Sequence, residues 1–163
     1  LTGFYNRRYL DESLPGLVKA ASHSGQPFGI CMMDLDHFRN INEELSHAIG
    51  DQIIQGVVAV LNEVLLPKDV PIRYGGDEFV ILMPESTPAD AEKRAKKVCT
   101  SIAALKILES YSCSVKQVTT SIGLAVYPKN GSAAKRLQEA ADKALYMAKE
   151  NGRNRVVPCP EEA

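Results

Sequence analysis

A pair of adjacent glycines between two apolar runs is the feature that most restricts how this chain can fold. The runs cover residues 70–74 and 77–83, and Gly75-Gly76 separates them. A two-residue loop of this kind predicts a tight hairpin, because glycine tolerates positive φ at both loop positions. Any sheet that contains the hairpin must therefore include antiparallel strands.

The rest of the chain alternates predicted helices with predicted strands. Apolar residues recur at helical spacing in residues 2–22, 49–66, 87–105 and 132–152. Strands are predicted at residues 28–34, 117–127 and 156–157. We therefore predict a single α/β (α+β) domain over residues 1–163, with helices packed on a central mixed sheet.

Three details concern the first helix and the end of the chain. Thr2 is the expected cap of the first helix, and Pro15 predicts a break or kink inside it. Residues 158–163 are expected to form a loose tail.

Composition and charge exclude several classes of protein. The net charge is −1, which argues against a nucleic-acid partner, because a broad binding surface needs a basic excess. The chain has no run of about 18 apolar residues, and its start does not resemble a secretion signal. We expect a cytoplasmic domain that contacts no membrane itself, cut from a longer protein that is free to carry an anchor elsewhere.

The four cysteines predict neither a metal site nor a disulfide framework. Their spacing matches no zinc pattern and includes no C-x-x-C pair. Cys31 lies inside an apolar run and Cys99 on an apolar helix stripe, so both are expected to be reduced core residues.

Acidic residues stand where two predicted strands meet loops. Asp34 ends one apolar strand, and Asp77-Glu78 follows the glycine pair. Carboxylates from neighbouring strands can share a divalent cation, and hard oxygen ligands favour magnesium or manganese. Taken one at a time, the same acids are more typical of a solvated, charged turn than of a metal site.

Five spaced motifs together resemble the GGDEF family. The signature is RYGGDEF at residues 73–79, and the other blocks agree with the family in order and spacing. These blocks are LTGFYNRR at 1–8, DLDHFRNIN at 34–42 continued by His47 and Gly50-Asp51, TSIGLA at 120–125, and ADKALYMAK with GRN at 141–149 and 152–154.

The resemblance implies a fold and an activity. The fold would be a mainly antiparallel mixed sheet like that of nucleotidyl cyclases and polymerase palms. The activity would be that of a diguanylate cyclase, which condenses two GTP molecules into cyclic di-GMP with release of pyrophosphate. Two active sites must face each other, so the family resemblance implies a two-fold homodimer, controlled by an upstream sensor or receiver domain.

The resemblance also implies a metal site. Asp34 and Asp77 would hold two Mg²⁺ (or Mn²⁺) ions per active site, with the Leu35 carbonyl as a further ligand. Glu78 would act as a metal ligand or help to deprotonate the attacking hydroxyl, and the sequence leaves both roles open.

Guanine would be read by a short polar set. Asn42 and Asp51 would bind the base, since a carboxylate accepts two hydrogen bonds from the guanine edge and pairs poorly with adenine. Gly75-Gly76 would let the nucleotide approach the backbone. His47 would support the loop by hydrogen bonding.

The triphosphate would lie against cationic and backbone groups. Lys149 and Arg153 stand four apart near the end of the last helix, and the family uses this pair on the β- and γ-phosphates. A solvated basic helix end is the alternative for them. His37 and Phe38 would lend backbone amides, and Arg39 a charge.

Some residues depart from the family pattern or need another role. Arg39 replaces the usual Lys, Glu43 replaces a common Asp, and Ser46 replaces a Gly, which would strain the turn if φ is positive there. These departures predict a lowered activity. Asp36 is expected to cap the short helix that follows it rather than to bind metal.

Feedback by product is expected to be absent or weak. Many family members bind cyclic di-GMP through an Arg-x-x-Asp site, and the equivalent stretch here is LPKD at residues 66–69. Asp69 is present, but Leu66 replaces the Arg that would grip guanine and phosphate. Lys68 remains as a partial substitute.

Two other functions compete with the cyclase. A GGDEF module that binds GTP without turnover would regulate a neighbouring domain, but such modules usually lack one of the acids retained here as Asp34, Asp77 and Glu78. An RNA-binding α/β domain would need exposed aromatics and a basic face, whereas this chain has 6% aromatics and no Trp.

Overall fold

The computed structural model of the chain describes residues 1–161. Five α-helices and six strands make up the fold, together with a short 3₁₀ helix at Ile107–Ser110. The strands are β1 Tyr5–Asn6, β2 Phe28–Leu35, β3 Val70–Arg73, β4 Glu78–Met83, β5 Thr120–Tyr127 and β6 Arg155–Pro158. The helices are α1 Arg7–Ser24, α2 Phe38–Glu44, α3 His47–Val64, α4 Pro88–Ala103 and α5 Ala134–Glu150.

The strands form one mixed, mainly antiparallel sheet in the order β1-β3-β4-β2-β5-β6. β2 lies inside the sheet and pairs antiparallel with both β4 and β5. Only the outer pairs, β1 with β3 and β5 with β6, are parallel. The predicted fold class is confirmed. The register sets Asp34 of β2 opposite Glu78 of β4 and Ser121 of β5.

Helices cover both faces of the sheet. Alternate residues of β2 point to opposite faces, so a fully apolar strand needs a core on each side. α3 and α4 pack on one face, where Met33, Ile81 and Ile122 are buried. α1 and α5 pack on the other, against Ile30, Val80 and Ala125.

The predicted hairpin is present, but its loop differs from the expected one. β3 and β4 pair antiparallel, and the loop runs from Tyr74 to Asp77, with the amides of Tyr74 and Gly75 both donating to the Glu78 carbonyl. Neither Gly75 nor Gly76 adopts a positive φ. Gly75 matters through size instead, because an added Cβ would lie 2.8 Å from Glu78 Oε1.

The first helix begins later than predicted. Residues 5 and 6 form β1, and the Asn6 side chain caps α1 by accepting from the Tyr9 amide at 3.1 Å. Thr2 instead accepts from the Phe4 amide, so its predicted capping role is wrong. α1 continues as one element past Pro15.

The predicted loose tail is attached over part of its length. The Cys159 amide donates to the Leu124 carbonyl, and the Asn130 side chain donates to the carbonyls of Cys159 and Pro160. Residues 162 and 163 lie outside the described part of the chain.

Cysteine placement agrees with the prediction. Cys31 and Cys99 are free and buried, and burial raises the pKa of their thiols to about 12 and about 11. Among residues 1–161, no helix combines the length and the apolar character needed to cross a membrane.

We predict that Gly123→Ala will destabilise the protein strongly. α5 crosses β5 so closely that a Cβ at position 123 would lie 2.1 Å from the Leu145 amide nitrogen and 2.2 Å from the Ala141 carbonyl. Backbone cannot yield as a flexible side chain can, so we expect a loss of roughly 2–4 kcal/mol, in the upper range for single substitutions.

Denaturant unfolding of both variants would test this, with Gly16→Ala as the matched control. A Cβ on Gly16 of α1 meets nothing within 4 Å, so that change should stabilise by roughly 0.5–1 kcal/mol. Equal stability of the two variants would contradict the close contact.

Candidate active site

Two carboxylates meet at the end of β2. The Leu35 amide donates to the Asp77 carbonyl at 3.0 Å, which ties the loop before β4 to the end of β2 next to Asp34. The Asp34 side chain is 16% exposed, and its Oδ2 accepts from the Lys149 ammonium. Oδ1 of Asp34 is buried and receives no hydrogen bond while both carboxylates are ionised.

The proximity of the two acids is expressed in the pKa of Asp77. Burial, the charge of Asp34 and a hydrogen bond between the two carboxyl groups raise this pKa to about 6. The charge of Glu78 adds to the effect. In the absence of a cation, protonation of Asp77 therefore relieves the repulsion.

The donor set suits a hard divalent cation. Asp34 Oδ1 is an unpaired buried oxygen, and a cation beside it would remove the repulsion that raises the pKa of Asp77. Within residues 1–161, no group of three or more His, Cys, Asp and Glu side chains is suited to a metal. The carboxylates of Asp34 and Asp77 and the Leu35 carbonyl would supply three of the cation's ligands. The other coordination positions would be left for water or substrate oxygens, as is usual for Mg²⁺.

A cavity of about 230 Å³ joins the acids to cationic side chains. The acids are Asp34 and Asp77, and the cations are Lys149 and Arg153. Leu35, His37, Phe38 and Arg39 also line it. The chain reverses after α5 with positive φ at Gly152, Arg153 and Asn154, which returns Arg153 towards the cavity. We call this space the polyphosphate cavity.

A second cavity, of about 510 Å³, lies next to the first and shares Phe38, Arg39 and Asp77 with it. It is also lined by Asn42, Glu43, His47 and Gly76, and we call it the base cavity. Asn42 Oδ1 is buried without a hydrogen-bond partner and faces Gly50 of α3, so this acceptor lies behind the cavity wall. Asp51 is exposed and is not among the lining residues.

Comparisons with known proteins identify the family of the chain. The family model for the diguanylate cyclase GGDEF domain matches residues 1–155. The chain belongs to the GGDEF family.

Individual relatives support the assignment. The response regulator PleD of Caulobacter vibrioides is 36% identical over 157 residues, which are 96% of this chain and 35% of PleD. The probable diguanylate cyclase DgcT of Escherichia coli is 34% identical over 157 residues, 96% of this chain and 34% of DgcT. This GGDEF domain thus spans about a third of the length of these curated relatives.

A solved structure shares the fold closely. The GGDEF domain of DgcB from Caulobacter crescentus, in complex with c-di-GMP, superposes with a TM-score of 0.87 at 29% identity. The match covers 97% of this chain and 92% of the DgcB chain.

Asp36 does not have the role predicted for it. His37, not Asp36, precedes α2 as its cap residue, with φ 57°, and no side chain caps that helix. Asp36 is buried, and its carboxylate accepts from the Thr119 and Ser121 hydroxyls and from the Asn154 amide. The expectation of a cap is wrong because the carboxylate turns towards β5 and the end of α5.

The other departures from the family pattern are accommodated. Ser46 has φ −177°, which is extended backbone, and its hydroxyl caps α3 by accepting from the Ile49 amide. The strain considered for this residue is therefore absent. Arg39 forms an exposed ion pair with Glu43 at 3.0 Å, so these two departures interact with each other.

The turn at residues 66–69 is closed by an ion pair. Asp69 Oδ2 accepts from the Leu66 amide at 2.9 Å. The Arg94 guanidinium contacts both carboxylate oxygens of Asp69, at 3.0 and 3.1 Å, and the Asp69 side chain is fully buried. Lys68 donates to the Glu85 carbonyl. The polar groups of the turn are therefore already engaged within the domain.

Sequence reasoning missed two residues that shape the site. Arg73 donates to the carbonyls of Gly75 and Gly76, at 3.3 and 2.7 Å, and so fixes the signature loop. Gly50 leaves room for Asn42, since a Cβ there would lie 1.9 Å from Asn42 Oδ1. A glycine inside a helical pattern is a signal of close approach, whereas nothing in the sequence marks the contacts of Arg73.

We predict that Asp77 weakens the metal-free GGDEF domain at neutral pH. Its folded pKa of about 6 lies above the ordinary value of 3.8, so the folded state binds the proton more tightly than the unfolded state. Stability linked to this group is complete below about pH 4 and is lost as the pH rises through about 6. Because Asp77 is partly exposed and solvent screens the repulsion, we expect roughly 1 kcal/mol, or 2–4 °C in melting temperature.

The measurement is the melting temperature of wild type and Asp77→Asn between pH 4 and 8, in the presence of a chelator. The melting temperature of the variant should rise relative to that of the wild type as the pH increases. Added Mg²⁺ should raise the melting temperature of the wild type only. Parallel curves for the two proteins would contradict the repulsion between Asp34 and Asp77.

Proposed function

We propose that this GGDEF domain is a diguanylate cyclase that condenses two GTP molecules into cyclic di-GMP and two pyrophosphates. The observation that carries the proposal is the pairing of Asp34 with Asp77 in the cavity that also contains Lys149 and Arg153. Acidic groups for a cation and basic groups for phosphate are the two needs of nucleotidyl transfer. The relatives named as cyclases support the same activity.

The reaction consists of two equivalent transfers. The ribose 3′-hydroxyl of one GTP attacks the α-phosphorus of the other, and the bond from that phosphorus to the bridging β-phosphate oxygen breaks. Pyrophosphate leaves with the bonding electrons, and the hydroxyl proton passes to a base. Glu78 lies on β4 directly opposite Asp34, which suits it either to take that proton or to bind metal.

The cation site would be formed by the carboxylates of Asp34 and Asp77 with the Leu35 carbonyl. Bound Mg²⁺ or Mn²⁺, two per site, would offset the triphosphate charge there. Lys149 is paired with Asp34 in the free domain. In the complex, this lysine and Arg153 would bind the β- and γ-phosphates, with Arg39 and the amides of His37 and Phe38 nearby.

Guanine selection would depend on the base cavity. Its volume of about 510 Å³ is ample for a purine, and the Asn42 side chain supplies an acceptor without an internal partner. Asp51 does not line the base cavity. Its contact with guanine would therefore need the nucleotide to extend towards α3. Adenine lacks the adjacent N1–H and N2 amino donors of guanine and would leave these acceptors poorly paired, which disfavours ATP.

Catalysis would need two copies of the domain. Each active site holds one GTP, and ring closure requires two sites to face each other across a two-fold axis. The curated relatives are about three times longer than this chain, which fits regulation of this pairing by an upstream domain. We expect the activity of the isolated domain to rise steeply with protein concentration.

The test of the proposal is product formation. We expect the domain at high concentration, with GTP and Mg²⁺, to produce cyclic di-GMP and pyrophosphate, and ATP to give no product. Asp34→Asn and Asp77→Asn should each lower the rate by more than about 100-fold, the scale for losing a group that acts on transition-state charge. Chromatography of the reaction mixture measures both products.

Asp11→Asn is the matched control, because Asp11 is an exposed carboxylate of α1 and its loss should leave the rate unchanged. GTP binding without product, even when the domain is fused to a dimerising segment, would replace the cyclase by a regulatory GTP-binding module. Absence of GTP binding would refute both functions.

We predict that cyclic di-GMP does not inhibit this domain through the turn at residues 66–69. Leu66 offers no guanidinium, and Asp69 is buried against Arg94. With the active site filled by 3′-deoxy-GTP, we expect product binding weaker than about 1 μM by calorimetry. Submicromolar binding at a second site would contradict this prediction.

A further inference from the structure

Asp36 is a buried carboxylate that the proposed reaction does not use. The residue is 4% exposed, and none of the ion pairs within residues 1–161 includes it. Its charge is instead met by neutral donors. Ser121 donates to Oδ1 at 2.7 Å, and the Thr119 hydroxyl and Asn154 amide donate to Oδ2 at 2.8 and 3.1 Å.

These donors come from two different parts of the chain. Ser121 belongs to the start of β5 and Thr119 immediately precedes that strand, which is already held to β2 by the sheet register. Asn154 belongs to the turn after α5. The amide of Asn154 is thus the contact through which Asp36 joins the end of β2 to that turn.

The turn after α5 has an unfavourable backbone. The values of φ at Gly152, Arg153 and Asn154 are 116°, 62° and 47°. Positive φ is unfavourable for Arg153 and Asn154, because both residues carry a Cβ. The surrounding contacts must therefore maintain the turn. Those contacts include the Arg153 amide donating to the Ala148 carbonyl at 2.9 Å, the Arg155 side chain donating to the Arg153 carbonyl at 2.9 Å and the Asn154 amide donating to Asp36.

Arg153 extends from the middle of this turn into the polyphosphate cavity. A hydrogen bond fixes the backbone on each side of its side chain, at its own amide and at the following amide. A charged acceptor makes the second of these bonds the stronger kind. Release of that bond would free the turn to relax towards ordinary φ values and would move the guanidinium.

We propose that Asp36 is a positioning residue that holds Arg153 in place for the triphosphate. This inference rests on the proposed function of the site. Asp36 also lines the polyphosphate cavity, but both of its carboxylate oxygens are already bound by Thr119, Ser121 and Asn154. The residue therefore acts through the Asn154 amide and the turn. The residue therefore contributes to recognition of phosphates and not to recognition of the base.

The experiment compares two ligands that cannot react. 3′-Deoxy-GTP lacks the attacking hydroxyl, and 3′-deoxy-GMP lacks in addition the phosphates that Arg153 would contact. Calorimetry with Mg²⁺ present measures both affinities for wild type, Asp36→Ala and Asp36→Asn. We expect Asp36→Ala to weaken binding of the triphosphate roughly tenfold, the scale of one hydrogen bond to a charged group, and to leave the monophosphate unchanged.

Asp36→Asn should restore triphosphate binding. Its amide oxygen can accept from the Asn154 amide, and its NH₂ can face the Ser121 hydroxyl, which rotates to accept. If Asp36→Ala does not fold, Asp36→Ser takes its place, because a serine hydroxyl still meets the β5 donors but is too short for the Asn154 amide. Thermal melting verifies that each variant is folded.

Two further variants separate positioning from general stability. Ser121→Ala removes a donor to Oδ1 and leaves the Oδ2–Asn154 contact, so it should lower the melting temperature without changing the ratio of the two affinities. In an Arg153→Ala background, Asp36→Ala should weaken binding of the triphosphate by less than about a further twofold. Both substitutions remove the same interaction, so their effects should not add.

The outcomes distinguish this inference from the proposed function. Failure of the wild type to bind the triphosphate would remove the function itself. Two results, with normal binding by the wild type, would overturn the positioning role alone. One is an equal loss of affinity for the triphosphate and the monophosphate in Asp36→Ala. The other is an additive loss of triphosphate affinity when Asp36→Ala is combined with Arg153→Ala.

Discussion

The repulsion between Asp34 and Asp77 is the constraint around which the site is organised. Sheet pairing and the backbone bond from Leu35 to Asp77 leave these acids no room to separate. In water such a pair would move apart, but here both are attached to strands that carry the core. The domain therefore maintains an unfavourable local charge, as sites that bind cations generally do.

The compensating cations come from a distant part of the sequence. Lys149 is 115 residues from Asp34 along the chain, and it arrives there because α5 crosses β5 and β2. Gly123 permits that crossing at backbone distance. The cationic side of the site thus depends on the packing of one helix against the sheet, and a change in the core would displace these cations.

Sequence reasoning succeeded where local patterns determine structure. The apolar run of β2, the start of α4 at Thr87-Pro88 and the hairpin all produce strong signals, and each is present. It failed at Thr2 and Asp36, whose capping roles were assigned from neighbours in sequence, because both side chains found other partners. The partners of Asp36 lie on β5 and beyond α5, and no local rule identifies contacts of that range.

The same distinction between local pattern and long-range contact applies to the candidate site. The motifs predict which residues matter, and the polyphosphate cavity gathers Asp34 of β2 and Asp77 of the loop before β4 with the cations that follow β5. The state of those residues follows only from the three-dimensional structure: the raised pKa of Asp77, the ion pair of Lys149 and the unpaired oxygen of Asn42. Asp51 shows the limit most clearly, since its exposure gives no sign of the base that its motif predicts.

The ion pair between Asp69 and Arg94 joins residues 25 positions apart, on a turn and on α4. A Leu66→Arg replacement would supply a second guanidinium beside a carboxylate whose two oxygens are already bound. A guanidinium at position 66 would therefore compete with Arg94 for Asp69, and freeing Asp69 would take a second change on α4. A variant that lacks only Arg94 would contain an uncompensated buried charge. Residues 66 and 94, on separate elements, thus constrain each other through one carboxylate.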